Sequence, residues 1–196
     1  LYVKLKKLWR HIVRHKILLT DIDGVVLDWQ KHFNNYLDKY YPDEELFDPT
    51  VFAQGERTGK IIKEFNNTAW IGFLEPWKDS VEVLTELKNM GWKIYGCTSM
   101  GTDQYANALR KKNVETLMPD VFTQLDIIPF MQPKGNWLSQ WRDSGAVWVE
   151  DKWSNAILGA DIGIKTFLMK QSYNSKHDYK GVEKVDNWRQ IYNKVI

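Results

Sequence analysis

Short β-rich runs that alternate with helical patterns constrain this chain more than any other feature. Ile17 to Thr20 reads as a buried strand, as do Trp92 to Cys97, Val147 to Glu150 and Thr166 to Met169, with Leu125 to Ile128 a weaker candidate. Between them, Asp79 or Ser80 is placed to cap a helix whose Val81, Leu84, Leu87 and Met90 face inward and which stops at Gly91. Further helical patterns cover Asp103 to Lys112, Gly135 to Arg142 and Ser154 to Ala160, and Asp186 is the expected N-cap of a final helix. Strand–helix alternation with short connections predicts an α/β fold: a Rossmann-like parallel sheet with helices on both faces.

One stretch breaks the alternation. Residues 29–77 hold 11 of the 27 aromatic side chains, from Trp29 and Phe33 through Tyr36, Tyr40, Tyr41, Phe47, Phe52 and Phe65 to Trp70, Phe73 and Trp77. This reads as a small, mainly helical cap inserted after the first strand, and interruptions of this length in an α/β layer are usually functional. The expected organisation is a basic, helical N-terminal segment over 1–15, an α/β core over 16–28 and 78–196, and the cap over 29–77.

Charge and cysteine narrow the class. The net charge of +2 hides an uneven distribution, because Lys4, Lys6, Lys7, Arg10, Arg14 and Lys16 precede Ile17 without an acid, leaving the rest at −4. Leu1, Leu5, Leu8 and Ile12 fall at helical spacing among these cations, which suits a helix docked on the domain. His11 and His15 lack any neighbouring carboxylate or Cys, so they do not read as a metal pair. Cys97 alone makes no intramolecular disulfide, which fits a reducing, cytoplasmic compartment, and it reads as a buried strand residue. Aliphatic runs such as Ile17-Leu18-Leu19 fall far short of the roughly 20 apolar residues of a membrane span, and neither a transmembrane helix nor a signal peptide is expected.

In open α/β sheets, sites form at the carboxyl ends of the strands. The first strand ends in Thr20-Asp21-Ile22-Asp23-Gly24-Val25-Val26, the second in Cys97-Thr98-Ser99, and the third in Glu150-Asp151, followed by Asn155. Lys134, in Gln132-Pro133-Lys134-Gly135, begins a helix between the latter two. Carboxylates crowded at one sheet edge repel one another unless a divalent cation neutralises them, and oxygen ligands beside a phosphate suit Mg²⁺.

With these motifs in this order, the chain resembles the haloacid dehalogenase-like phosphohydrolases over residues 16 to about 169. The resemblance implies a small-molecule phosphomonoester as substrate and Asp21 as the nucleophile that forms an aspartyl-phosphate. It implies Asp23 as general acid and base, and Thr98, Ser99 and Lys134 as phosphate-binding groups. Mg²⁺ would sit on Asp21, Asp151 and the Asp23 carbonyl, with Glu150 as a neighbour or ligand and Asn155 orienting Asp151. Within the family, Asp21 to Trp29, the Trp70-Ile71-Gly72-Phe73-Leu74-Glu75-Pro76 stretch, the Cys97-Thr98-Ser99 ending and Glu150-Asp151-Lys152 are similar to the 5'(3')-deoxyribonucleotidases, with Trp29, Trp70 and Phe73 as candidates for stacking on a base.

Other readings share this chemistry. A polynucleotide 3'-phosphatase would favour an open, basic cleft, against which the acidic body argues unless the basic N-terminal segment supplies that path; nucleic acid as a partner is possible but not favoured. A sugar-phosphate phosphatase would favour a polar cap. A non-catalytic phosphate-binding module would normally lack one motif, and none is missing. Two local patterns read as loop chemistry: Gly55-Glu-Arg-Thr-Gly59-Lys60 has three residues, not four, between its glycines and follows no strand, and Asn66-Asn67-Thr68 is a glycosylation sequon.

Overall fold

The computed structural model describes residues 16–43, 56–130 and 132–196. The expected N-terminal helix, the His11/His15 pair, Phe47, Phe52 and Gly55 lie outside the described residues. Chain order runs β1 (Ile17–Thr20), α1 (Trp29–Tyr40), α2 (Glu56–Asn66), a 3-10 turn (Ala69–Gly72), α3 (Ser80–Asn89), β2 (Lys93–Met100), α4 (Gln104–Leu117) and β3 (Gln124–Pro129). It continues through α5 (Gly135–Ser139), β4 (Val147–Glu150), α6 (Trp153–Asp161), β5 (Lys165–Met169), β6 (Val182–Val185) and α7 (Trp188–Val195).

The six strands form one parallel sheet in the order β3-β2-β1-β4-β5-β6. β1 sits centrally, so its carboxyl end lies between those of β2 and β4 and their motifs meet there. Alternation along the strands sorts the core into two layers. Leu18, Val147, Val149 and Phe167 pack with Val83, Leu84 and Leu87 of α3 and Trp188, Ile191 and Val195 of α7. Leu19 and Trp148 point the other way, onto Leu138 of α5 and Leu158 of α6. Helices therefore cover both faces, as the alternation predicts.

Several boundaries differ from the sequence expectation. α5 stops at Ser139, three residues early, and β6 was not foreseen, because Val182-Glu183-Lys184-Val185 is a half-buried edge strand too short and polar to stand out. On α3 the inward set includes Val83, whereas Met90 is 40% exposed. The final helix is capped by Asn187, which accepts from the Gln190 N–H, rather than by Asp186. Asp79 makes no side-chain cap on its own helix; its carboxylate accepts the backbone N–H groups of Trp188 and Arg189 at 3.0 and 2.8 Å and so fixes the start of α7.

The segment between β1 and α3 leaves and returns at one point. Asp28 N–H donates to Glu75 at 2.9 Å, and Trp77 N–H donates to Val26 at 2.8 Å. Within it, Trp29, Phe33, Tyr36 and Phe65 pack ring against ring, with Trp29 stacked on Phe33 at 4.6 Å between centroids. Glu56 to Lys60 lie in α2, so this part of the glycine-rich pattern is helix rather than loop. No described helix is long and apolar enough to cross a membrane.

Trp188 ties this architecture to the β1 turn, being fully buried with its indole N–H on the Val25 carbonyl at 2.8 Å. Trp188→Ala is expected to destabilise the fold by about 3–5 kcal/mol, read from denaturant midpoints, since it opens a cavity and strands a buried carbonyl.

Candidate active site

The geometry begins in the turn after β1. The Asp21 N–H continues the sheet ladder onto Val149 at 2.9 Å, which places its side chain at the strand's end, and the Val26 and Leu27 N–H groups fold back onto the Ile22 carbonyl. Gly24 makes this turn at a φ of +79°, and a Cβ there would come within 2.3 Å of an Asp151 carboxylate oxygen. Only glycine lets the β1 turn approach the β4 loop this closely.

Lys134, 1% exposed, reaches in from the start of α5 and bridges two carboxylates: Asp21 Oδ1 at 2.7 Å and Glu150 Oε2 at 2.9 Å. Burial opposes its charge, but Asp21 and Glu150 outweigh burial and hold its pKa above the ordinary lysine value. Glu150 is also fully buried, and its Oε1 accepts the N–H groups of Asp151 and Lys152 at 3.2 and 3.0 Å. Three donors thus satisfy Glu150, which shapes the loop that carries Asp151.

Asp151 is held by residues that sequence reasoning missed. The Tyr173 hydroxyl donates to Asp151 Oδ2, and the Asn174 amide donates to the Asp151 carbonyl at 2.7 Å and to Met169 at 2.9 Å. Gln171 donates from its side chain to the Gly24 carbonyl at 2.8 Å. The β5–β6 connection therefore locks the β1 and β4 loops together. Asn155 is buried nearby, where its backbone carbonyl accepts from the Trp148 indole; the partners of Asp151 are Tyr173 and Asn174 instead.

Asp21, Glu150 and Asp151 each offer an oxygen, all within 4.8 Å of one another. Burial first, and then mutual repulsion, raise the pKa of all three: Asp21 well above its usual value despite Lys134, Glu150 likewise upward, and Asp151 to about 6. Three buried carboxylates facing one ammonium leave an excess of negative charge. A hard divalent cation fits this donor set, which consists of oxygens alone.

Asp23 lies one step outward, with its carboxylate held at both oxygens. The Thr98 hydroxyl donates to Oδ2 at 3.1 Å, and the Arg110 guanidinium lies 2.7 Å from Oδ1. Thr98, expected on phosphate, is thus turned onto Asp23, while Ser99 donates to the Pro129 carbonyl at 3.0 Å. Cys97 is buried, and its thiol is pushed up to about 12 by burial, which removes it as a nucleophile.

Asp21, Asp23, Thr98, Ser99, Lys134, Glu150, Asp151 and Asn155 all line one cavity of about 310 Å³. Its remaining walls include Trp29, Ile62 and Asn66 from the segment after β1, and Phe130 and Gln132 from the β3–α5 connection. Trp29 lines this cavity with its indole N–H on Asn66 Oδ1 at 2.9 Å. Asn66 is therefore a buried partner of that ring rather than a loop sequon. Trp70 and Phe73 do not line the cavity: Ile71 is the buried residue of their 3-10 turn, Trp70 lies edge-on to Tyr36 and Tyr40, and Phe73 is 72% exposed. A Cβ on Gly72 would come within 3.1 Å of Leu109, so the turn lies close against α4.

Comparison with known proteins places the fold. No family model matches the chain. A stretch of 120 residues is 31% identical to an uncharacterised 32.4 kDa protein of the Gp30-rIII intergenic region of Enterobacteria phage T4; the match takes in 55% of this chain but only 43% of that protein. Among solved structures, a phosphatase candidate from Clostridium difficile superposes with a TM-score of 0.67 at 16% identity over 93% of this chain and 99% of that one. The L-2-haloacid dehalogenase of Xanthobacter autotrophicus, with chloropropionic acid covalently bound, gives 0.65 at 10% over 92% and 98%. The magnesium-bound haloacid dehalogenase-type hydrolase candidate YfnB of Bacillus subtilis gives 0.62 at 12% over 93% and 99%. The chain has the haloacid dehalogenase-like α/β fold.

The raised carboxyl pKa values make the site pH-sensitive. With Asp151 held up to about 6, the metal-free folded chain binds more protons than the unfolded chain between roughly pH 4 and 6, so this group's contribution to stability falls as pH rises through that window. A cation relieves the repulsion only where the carboxylates are ionised. Magnesium is expected to raise Tm at about pH 7.5 and much less at about pH 5, with Asp151→Asn abolishing the shift; an equal shift at both pH values in differential scanning fluorimetry would contradict this.

Proposed function

We propose that this chain is a magnesium-dependent phosphomonoester hydrolase that works through an aspartyl-phosphate and acts on (deoxy)nucleoside monophosphates. The observation that carries the reading is the buried cluster of Asp21, Lys134, Glu150 and Asp151, open to a cavity that Asp23 also lines. In this reading residues 29–77 act as the cap.

In the first step an Asp21 carboxylate oxygen attacks phosphorus, and the bond from phosphorus to the leaving oxygen breaks as Asp23 donates its proton to that oxygen. In the second, Asp23 takes a proton from water as the water oxygen attacks phosphorus, and the bond to Asp21 breaks to release inorganic phosphate. Lys134, already against Asp21, stabilises the negative charge that spreads over the phosphoryl oxygens. Mg²⁺ held by Asp21, Asp151 and the Asp23 carbonyl would neutralise the carboxylates and the incoming phosphate. Glu150, committed to Lys134 and two backbone N–H groups, serves to place Asp151. The second aspartate favours phosphate ester hydrolysis over dehalogenation, since only the former has a leaving oxygen that gains from a proton.

The substrate class rests on the cavity. About 310 Å³ is at the small end of the usual ligand range of roughly 300–1,000 Å³, suited to one small phosphomonoester rather than a strand end threaded through an open cleft. Trp29 and Phe130 offer flat apolar surface, and Asn66, Gln30 and Gln132 bring amide groups to the same walls, a combination that suits a heterocyclic ring better than a bare sugar.

Phosphate release is to be measured with magnesium on dUMP, dTMP, ribonucleotides, sugar phosphates and a 3'-phosphorylated oligonucleotide. Nucleoside monophosphates are expected to be preferred, and Asp21→Asn to lose about a thousandfold or more in kcat. Equal release by Asp21→Asn overturns the mechanism, and preference for the oligonucleotide overturns the substrate class. Trp29→Ala is expected to raise KM for nucleotides about tenfold, the size of one lost stacking contact, while sugar phosphates change little.

A further inference from the structure

Helix α4 carries a charge that its sequence conceals. Arg110-Lys111-Lys112 reads as a solvated basic run, and Lys111 and Lys112 are exposed, yet Arg110 is 0% exposed. It lies on the helix's buried face with Ala106, Asn113 and Val114. Burying a guanidinium is costly unless an anion compensates it. Among the described residues, the one carboxylate within ion-pair distance is that of Asp23, with Nη2 and Oδ1 2.7 Å apart. The contact is ionic rather than an aligned hydrogen bond: among the described residues, Nε, Nη1 and Nη2 of Arg110 and Oδ1 of Asp23 have no hydrogen-bond partner. His32 spends its Nε2 lone pair on the Glu75 N–H and supplies no negative charge.

Resting on the phosphomonoesterase reading, we propose that Arg110 is a positioning residue that, together with Thr98, holds the Asp23 carboxylate in the orientation from which it serves the leaving oxygen and the attacking water. Arg110 does not line the cavity, so it acts on substrate only through Asp23. Thr98 at the end of β2 takes Oδ2 and Arg110, twelve residues later on α4, takes Oδ1, so a single strand–helix unit fixes both oxygens of an aspartate on the β1 turn. Asp23 keeps a side chain 21% exposed and facing the cavity. The proton passes only between Asp23 and the leaving oxygen or the attacking water; the guanidinium neither gives nor takes one.

Leaving-group dependence separates this role from a packing role. p-Nitrophenolate leaves without a proton, whereas the 5'-oxygen of a nucleoside needs one. Pre-steady-state kinetics of Arg110→Gln should show phosphoryl transfer from dUMP slowed about ten- to a hundredfold, part of the roughly hundred- to ten-thousandfold that a general acid contributes. Transfer from p-nitrophenyl phosphate should stay nearly unchanged, so a nitrophenolate burst appears, followed by slow hydrolysis of the aspartyl-phosphate. Adding Asp23→Asn should cost no more than Asp23→Asn alone. Arg110→Lys, which keeps a cation in the buried position, should show the same selectivity at smaller size and decides the matter alone if Arg110→Gln does not fold. Equal slowing of transfer from both esters, or additive losses in the double variant, overturns the proposal while leaving the phosphomonoesterase reading intact. A wild-type protein inactive on both esters overturns the two together.

Discussion

Lys134 sits between two buried carboxylates, and the electrostatics of the whole sheet edge follow from that placement. An ammonium 2.7 Å from Asp21 and 2.9 Å from Glu150 joins the end of β1 to the end of β4 across the parallel ladder. Without it, three buried acids would face one another, and each would take up a proton rather than stay charged. With it, one positive charge still meets three negative ones, so the cluster is left short of cation. That shortfall is what makes a divalent ion a fitting occupant, and burial first, with mutual repulsion after it, holds all three carboxyl pKa values up.

Holding such a cluster together requires a scaffold that cannot relax. The hydrophobic layers on the two sheet faces supply part of this, with Leu18 and Leu19 each wholly buried on opposite sides just before Asp21. The loops supply the rest through hydrogen bonds rather than packing. Asn174 ties the Asp151 backbone to β5, Gln171 ties Gly24 to the same connection, and Trp188 ties Val25 to the last helix. Every turn that carries an acid is fixed from at least one other element, so the acids are arranged by the tertiary structure and not by their own short segments.

This division explains which parts of the molecule can be read from sequence. Strands β1, β2, β4 and β5 announce themselves because they are buried apolar runs with polar endings, and the endings identify Asp21, Asp23, Glu150 and Asp151 by type and position. Trp29 is legible for the same reason, being fixed by short-range spacing from the strand. Arg110 is hidden within a basic run, where composition argues for solvent. Tyr173 and Asn174 lie in a polar connection whose importance comes wholly from its fold partners, and Asn66 resembles any residue at a helix end. Trp70 and Phe73 lie off the cavity: the Ala69–Gly72 turn buries Ile71, and Phe73, just beyond it, faces solvent.

The charge balance then has a local meaning that the chain average lacks. Excluding the segment before Ile17, the chain carries an excess of acids, so its mean field does not draw phosphate toward it. Within the site, however, the four acids Asp21, Asp23, Glu150 and Asp151 are met by two buried cations, Lys134 and Arg110, each paired to a different aspartate of the β1 turn. The two aspartates, two residues apart in sequence, thereby occupy distinct electrostatic settings. Asp21 lies deep among other carboxylates and beside an ammonium, whereas Asp23 lies partly exposed between a hydroxyl and a guanidinium. Two carboxylates in different surroundings are what a division of labour between nucleophile and acid–base requires. Arg110 is central to that difference because, without it, only Thr98 would hold the Asp23 carboxylate.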